Sequence, residues 1–121
     1  MIIKIENKDN SIAHKMRDVF QASYAVEAKI LGVIDFPPLK RTLYEFTNSN
    51  SEFFAYYQSN DIIGIAEVKN YQDSTHIQSL VVHPEHFRKG IGRKLIQFIL
   101  DRYMKKIFTV EHLLASLIGA G

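Results

Sequence analysis

The sequence predicts a single domain of the α/β class in its α+β form, a mixed and mostly antiparallel sheet flanked by helices. Three observations carry that expectation. Apolar residues from Ile12 to Tyr24 recur at helical spacing behind a polar cap. Two strand-like runs, Phe53 to Tyr57 and Ile62 to Lys69, are joined by a short polar turn, and a third, His76 to Val82, follows another. That third run leads into a glycine turn, an amphipathic helix and a further apolar run, the pattern of a βαβ unit.

Taken in order, Ile2, Ile3 and Ile5 predict a first strand, and Asp9, Asn10 and Ser11 offer N-cap chemistry for a helix starting near Ser11. On that helix Ile12, Met16, Val19, Phe20, Ser23 and Tyr24 share one face, while Lys15, Arg17, Asp18 and Gln21 share the other. Gly32 and the run Asp35-Phe-Pro-Pro-Leu39 interrupt it, because proline lacks an N–H and disfavours a helical residue before it. A second short helix is expected from Leu39 to Phe46. Gln58-Ser-Asn-Asp61 predicts a hairpin turn, and Asn70 to Thr75 a second one, so the three strands should form an antiparallel meander. From Gly92 onward, Leu95, Ile96, Ile99, Leu100 and Tyr103 define an apolar helix face opposite Lys94, Gln97, Asp101, Arg102 and Lys105. Ile107 to Val110 then reads as a strand parallel to the one before the glycine turn.

A chain of 121 residues, 46% of them hydrophobic, suffices for one core and is too short for two ordinary domains, so residues 1–121 are expected to form one domain. The net charge of +2 is mild and argues neither for nucleic acid nor for an anionic membrane. Absence of cysteine excludes disulfides, thiolate chemistry and cysteine-based zinc sites. The apolar run at the N-terminus is too short for a signal peptide, and no run is long enough to span a membrane, so a cytoplasmic location is expected.

The chemistry is concentrated in Leu80-Val-Val-His-Pro-Glu-His-Phe-Arg-Lys-Gly-Ile-Gly-Arg-Lys-Leu-Ile96. Gly90 and Gly92 permit backbone angles that turn successive N–H groups toward one point at a helix N-terminus, where the dipole favours phosphate. Arg88, Lys89, Arg93 and Lys94 surround that point with formal charge. The order strand, proline, basic turn, Gly-x-Gly, helix resembles the acetyl-CoA-binding motif of the GNAT-type N-acetyltransferase superfamily. The resemblance implies a sheet that splays at the strand before the turn, with the backbone of Leu80, Val81 and Val82 receiving the pantetheine arm. It also implies that Arg88, Lys89, Gly90, Ile91, Gly92 and Arg93 hold the pyrophosphate. One departure is Phe87, where the family usually has Gln or Arg, which should weaken binding without abolishing it.

The resemblance further implies acetyl-CoA as co-substrate and a primary amine, on a small molecule or a peptide, as acceptor. A backbone N–H of Val81 or Val82 could stabilise the tetrahedral oxyanion. Glu111 aligns with an acidic residue used as base in some members, and Glu67 projects from an adjacent strand. Both are candidate catalytic bases, with Glu111 preferred, although Glu67 by itself reads as a solvated strand residue and Glu111 as a strand cap. Gln78 stands where other members carry Glu, and an amide cannot act as a base.

At its end the chain reads Glu111-His-Leu-Leu-Ala-Ser-Leu-Ile-Gly-Ala-Gly121. The Asn-bearing turn, the Tyr-bearing helix and the final hairpin that the resemblance implies do not follow, so the domain is expected to lack its last strands, as after a truncation or an altered reading frame. The general acid for the leaving thiolate would then be missing. That leaves an alternative: a catalytically impaired remnant that binds coenzyme A or dimerises. Leu113, Leu114, Leu117 and Ile118 would form one apolar face if helical, and predict a homodimer in which the tail covers the partner's sheet edge.

Other functions fit less well. A dinucleotide fold lacks its third small residue, since Leu95 occupies that place, and a Walker A loop lacks Lys followed by Ser or Thr. The basic cluster is too short to indicate nucleic acid. His83 and His86 lie in a turn with no carboxylate triad, so no metal site is expected. Phe53, Phe54, Tyr56 and Tyr57 read as core and sheet surface.

Overall fold

The computed structural model describes residues 1–103 in full and the backbone of residues 106–109. Ile2–Ile5 forms β1, and Asp9 then caps α1, Asn10–Leu31, its carboxylate accepting from the Ile12 N–H at 3.2 Å. The helix stops at Gly32, whose φ of 70° lets Val33 N–H return to the Ala28 carbonyl at 3.1 Å. The expected helix from Leu39 to Phe46 is in fact two pieces. Pro37–Lys40 makes a 3-10 turn, Arg41 is extended, and Thr42 opens α2, Leu43–Thr47, through a reciprocal capping box with Glu45.

Glu52–Gln58 (β2), Asp61–Asn70 (β3) and Ser74–Val82 (β4) form the predicted meander, with Ser59 in the left-handed region at the first turn. Ile91–Arg102 is α3 and Lys106–Thr109 is β5. The sheet order is β1-β2-β3-β4-β5, antiparallel throughout except for the parallel β4–β5 pair that closes the βαβ unit.

Alternating side chains build a core on each face. Met16, Phe20 and Tyr24 of α1 and Phe46 of α2 pack on Phe53, Ala55, Ile65 and Val81. Ile91, Leu95 and Ile99 of α3 pack on Phe54, Ala66, Leu80 and Val82 from the other side. Leu100, predicted for the apolar face, is exposed among the described residues. Gly64 on β3 makes the close approach of α3 possible, because a Cβ there would stand 2.8 Å from Ile91 Cγ2 and 3.2 Å from Leu95 Cδ1.

Two features of β4 place the functional region. The described β4–β5 register runs from Ser74↔Lys106 to Ile77↔Thr109, and no described strand pairs with the outer edge of residues 78–82. The β3–β4 register slips between Glu67 and Val68, so Gln78 is left without a cross-strand partner between Ile77 and Ser79. Glu111 and the apolar residues Leu113 to Ile118 lie outside the described residues.

Candidate active site

β4 ends at Val82, and Pro84–His86 forms one 3-10 turn before the chain reverses into α3. The reversal needs two left-handed residues. Gly90, the N-cap of α3, has φ 76°, and Arg88 has φ 66°, a conformation uncommon for a residue with a side chain. Gly92, expected to share that freedom with Gly90, is instead an ordinary helical residue, buried in the second position of α3.

No side chain caps the N-terminus of α3. The N–H groups of Ile91, Gly92 and Arg93 precede the first intrahelical acceptor, and the first i→i−4 bond is Lys94 N–H to the Gly90 carbonyl at 3.0 Å. Those three donors lie at the positive end of a three-turn helix, with the exposed cations Arg88, Lys89, Arg93 and Lys94 around them. Lys89 Nζ lies 3.2 Å from His86 Nδ1. Desolvation, with the charge of Lys89 beside it, lowers the His86 pKa and keeps that ring neutral at pH 7. Phe87 packs its ring against the α3-side core. Leu80, Val81 and Val82 bury their side chains on alternate faces, and no described strand pairs with the backbone of their outer edge.

The opposite side of the bulge opens a cleft of about 600 Å³, bordered by Arg41, Tyr44, Glu45, Glu67, Gln78 and Ser79. Glu67 is not the solvated strand residue that alternation suggests. It is 5% exposed, and its carboxylate takes a two-pronged ion pair from Arg41, Nη1 to Oε1 at 2.7 Å and Nη2 to Oε2 at 3.0 Å. Ser79 Oγ donates to the same Oε1 at 2.9 Å. Burial alone would raise the Glu67 pKa, but the bonds and charge of Arg41 and the Ser79 hydroxyl outweigh it and hold the carboxyl below its usual range. Tyr24 bonds Ser79 from beneath, and burial keeps its phenol protonated far above neutral pH.

The residues of the glycine turn are adjacent in sequence, so the turn itself is legible there. Arg41, Ser79 and Tyr24 were not singled out, since they are brought to Glu67 from α1, the α1–α2 connection and β4 with no common spacing. The one local signal was Thr42-Leu-Tyr-Glu45, a capping box that places the start of α2 and therefore leaves Arg41 outside any helix. A second cavity of about 540 Å³ lies between α1, the β2–β3 turn and His83 to His86, with lining groups of both signs. Among the described residues no group of three His, Asp or Glu could hold a metal ion, and no helix is long and apolar enough to cross a membrane.

Comparison with known proteins adds to this geometry. UPF0157 protein YqkA of Bacillus subtilis (strain 168) is 34% identical over 101 residues, which are 84% of this chain and 29% of YqkA, so the chain spans under a third of that relative. The paia N-acetyltransferase of Thermoplasma acidophilum, solved in complex with coenzyme A, superposes with TM-score 0.68 at 16% identity, over 84% of this chain and 70% of that one. An aminoglycoside acetyltransferase from an uncultured soil metagenomic sample, solved with sisomicin, gives TM-score 0.61 at 21% identity, over 92% and 76% respectively. These two structures establish the shared fold. The profile of the Acetyltransferase (GNAT) family matches residues 13–116, from the first helix through the glycine turn and beyond it, and the chain therefore belongs to the GNAT acetyltransferase family.

Proposed function

We propose that this chain, as one domain over residues 1–121, transfers an acetyl group from acetyl-CoA to a primary amine. The observation that carries the reading is the uncapped N-terminus of α3, set by left-handed Arg88 and Gly90 one short turn after an edge of β4 that no described strand covers. Arg88, Lys89, Gly90, Ile91, Gly92 and Arg93 bind the pyrophosphate through main-chain donors and surrounding charge. The backbone of Leu80, Val81 and Val82 pairs with the amide-rich pantetheine arm as an added strand would. This brings the thioester to the bulge at Gln78, where a Val81 or Val82 N–H donates to the oxygen as the carbonyl becomes tetrahedral.

The acceptor amine enters from the cleft on the opposite side and attacks the thioester carbon; its nitrogen then loses a proton, and the thiolate leaves. Glu111 is our candidate for taking that proton, directly or through water. The acceptor is proposed as a class, a primary amine on a small molecule or a peptide; one neighbouring structure carries sisomicin. A cytoplasmic location accords with the cysteine-free composition. A homodimer through the apolar residues Leu113 to Ile118 completes the reading, and light scattering with and without residues after Val110 tests it.

Calorimetry with acetyl-CoA, coenzyme A and an oligonucleotide tests the binding step. Saturable binding of the first two, lost in Gly90→Ala/Gly92→Ala with an unchanged circular dichroism spectrum, is expected. Equal affinity in that variant, or preference for the oligonucleotide, overturns the reading. A thiol-release assay over an amine panel then tests transfer, and coenzyme A binding without any turnover would favour the impaired-remnant alternative.

A further inference from the structure

We propose that Arg41 is a positioning residue, which fixes the α1–α2 connection onto β3 through Glu67 and so sets the shape of the cleft wall that an acceptor amine meets. The occupant rests on the acetyltransferase reading; the clamp itself does not. The guanidinium makes both of its end-on bonds to Glu67, and its flat face lies 4.3 Å from the Phe46 ring centroid, with Phe20 at 5.6 Å and Phe53 at 5.8 Å. Lysine could reproduce the charge but neither the fork nor the stacking.

The connection around Arg41 is tied on both sides: beyond it Phe46 packs on Phe53, and Asn7 Nδ2 donates to the Phe46 and Ser49 carbonyls at 2.7 and 3.0 Å. Gln21 Nε2 donates to the Leu39 carbonyl at 3.1 Å and Arg17 Nε to the Arg41 carbonyl at 3.4 Å, both from α1. These hold the connection to the helix, whereas Arg41–Glu67 is the ion pair that holds it to the sheet. From Glu67 the tie continues through Ser79 Oγ to β4, immediately beside the unpaired Gln78. One buried carboxylate thus joins the segment that carries Tyr44 and Glu45 to the strand position at which the thioester is proposed to lie. With three donors on its two oxygens and its proton affinity depressed, Glu67 is suited to holding geometry and poorly suited to accepting a proton. Buried pairs of this kind add little net stability over apolar replacements, which makes a role in conformational specificity the better account of it.

The test uses the full chain and three variants. Arg41→Met/Glu67→Met removes both charges without stranding either, Arg41→Lys keeps the charge, and Glu67→Gln keeps the shape. Amide exchange is the readout independent of activity: the double variant should lose protection by about tenfold or more over residues 42–48, with β3 and α3 unchanged. Protection equal to wild type in that segment overturns the proposal. With an amine that the wild type acetylates, KM for the amine should rise about tenfold or more in the double variant and less in Arg41→Lys, while KM for acetyl-CoA stays constant. In Glu67→Gln the acidic limb of the kcat profile should remain. Loss of that limb would make Glu67 the base, and a wild-type amine KM in the double variant would reduce the pair to a packing element; either result refutes the positioning role. If no amine is turned over, the acetyltransferase reading fails and the exchange measurement alone decides on the clamp.

Discussion

The two faces of the sheet carry sites built in opposite ways. On the α3 face the turn proposed to bind the pyrophosphate comes from six consecutive residues, Arg88 to Arg93, and its donors are main-chain groups at one helix end. On the α1 face the cleft is assembled at long range: Arg41 is 26 residues from Glu67, and Ser79 a further 12 along the chain. The first site depends on backbone conformation and tolerates many side chains. The second depends on a few side chains that must be present together.

The largest effect should distinguish the faces most sharply. Arg41→Met alone leaves the Glu67 carboxylate buried without its partner, and should destabilise the fold by about 3–5 kcal/mol in urea titration. Adding Glu67→Met should recover most of that loss. A single-variant effect below about 1 kcal/mol would mean the pair behaves as a surface salt bridge.

Next in size, Gly64→Ala places a Cβ against Ile91 and Leu95, and overpacking of this kind should destabilise by about 1–3 kcal/mol. Because the atoms displaced belong to the first two turns of α3, acetyl-CoA affinity should fall with stability, while amide protection of α2 stays unchanged. Unaltered affinity would show that the two helix layers move independently of the turn.

Gly90→Ala meets no atom within 4 Å and pays only for its left-handed backbone, about 1–2 kcal/mol. Gly90→Asn should be milder, since Asn tolerates that region better. Calorimetry on both should rank acetyl-CoA affinity as wild type, Asn, then Ala. A reversed order would detach binding from the turn's conformation.

The smallest effect is on pH. The folded-state pKa of Glu67 lies below its usual value of 4.5, so the carboxylate's stabilisation is complete above that value. It is lost as pH falls through the lower folded pKa, because the unfolded chain binds the proton first. Denaturation followed from pH 6 down to pH 2, about the range over which carboxylates titrate, should therefore show a flatter acid limb in Arg41→Met/Glu67→Met than in wild type. Parallel limbs would show that Glu67 titrates normally.

Much of the fold was legible because its signals are local. Asp9 caps α1 and Gly32 stops it, as the polar cap and glycine suggest, and the two turns of the meander fall within the expected residues. The misreadings share a cause. The single helix expected from Leu39 to Phe46 is interrupted at Arg41, because the capping box at Thr42 starts a new helix there. Glu67 reads as solvated because a charged residue in an alternating strand usually faces water, and only the arrival of Arg41 makes its burial tolerable.

The features legible in a short window of backbone are the helix starts and stops, the hairpin turns and the basic glycine turn. Those follow from dihedral preferences and hydrogen-bonding groups within a few residues of one another, which no distant contact has to supply. Packing, by contrast, is what lets Gly64 admit α3, slips the register of β4 at Gln78, and brings Arg41, Glu67 and Ser79 together beside a cleft. Each of these is a meeting of separate elements, and its energy exists only after the sheet and both helix layers have closed around it.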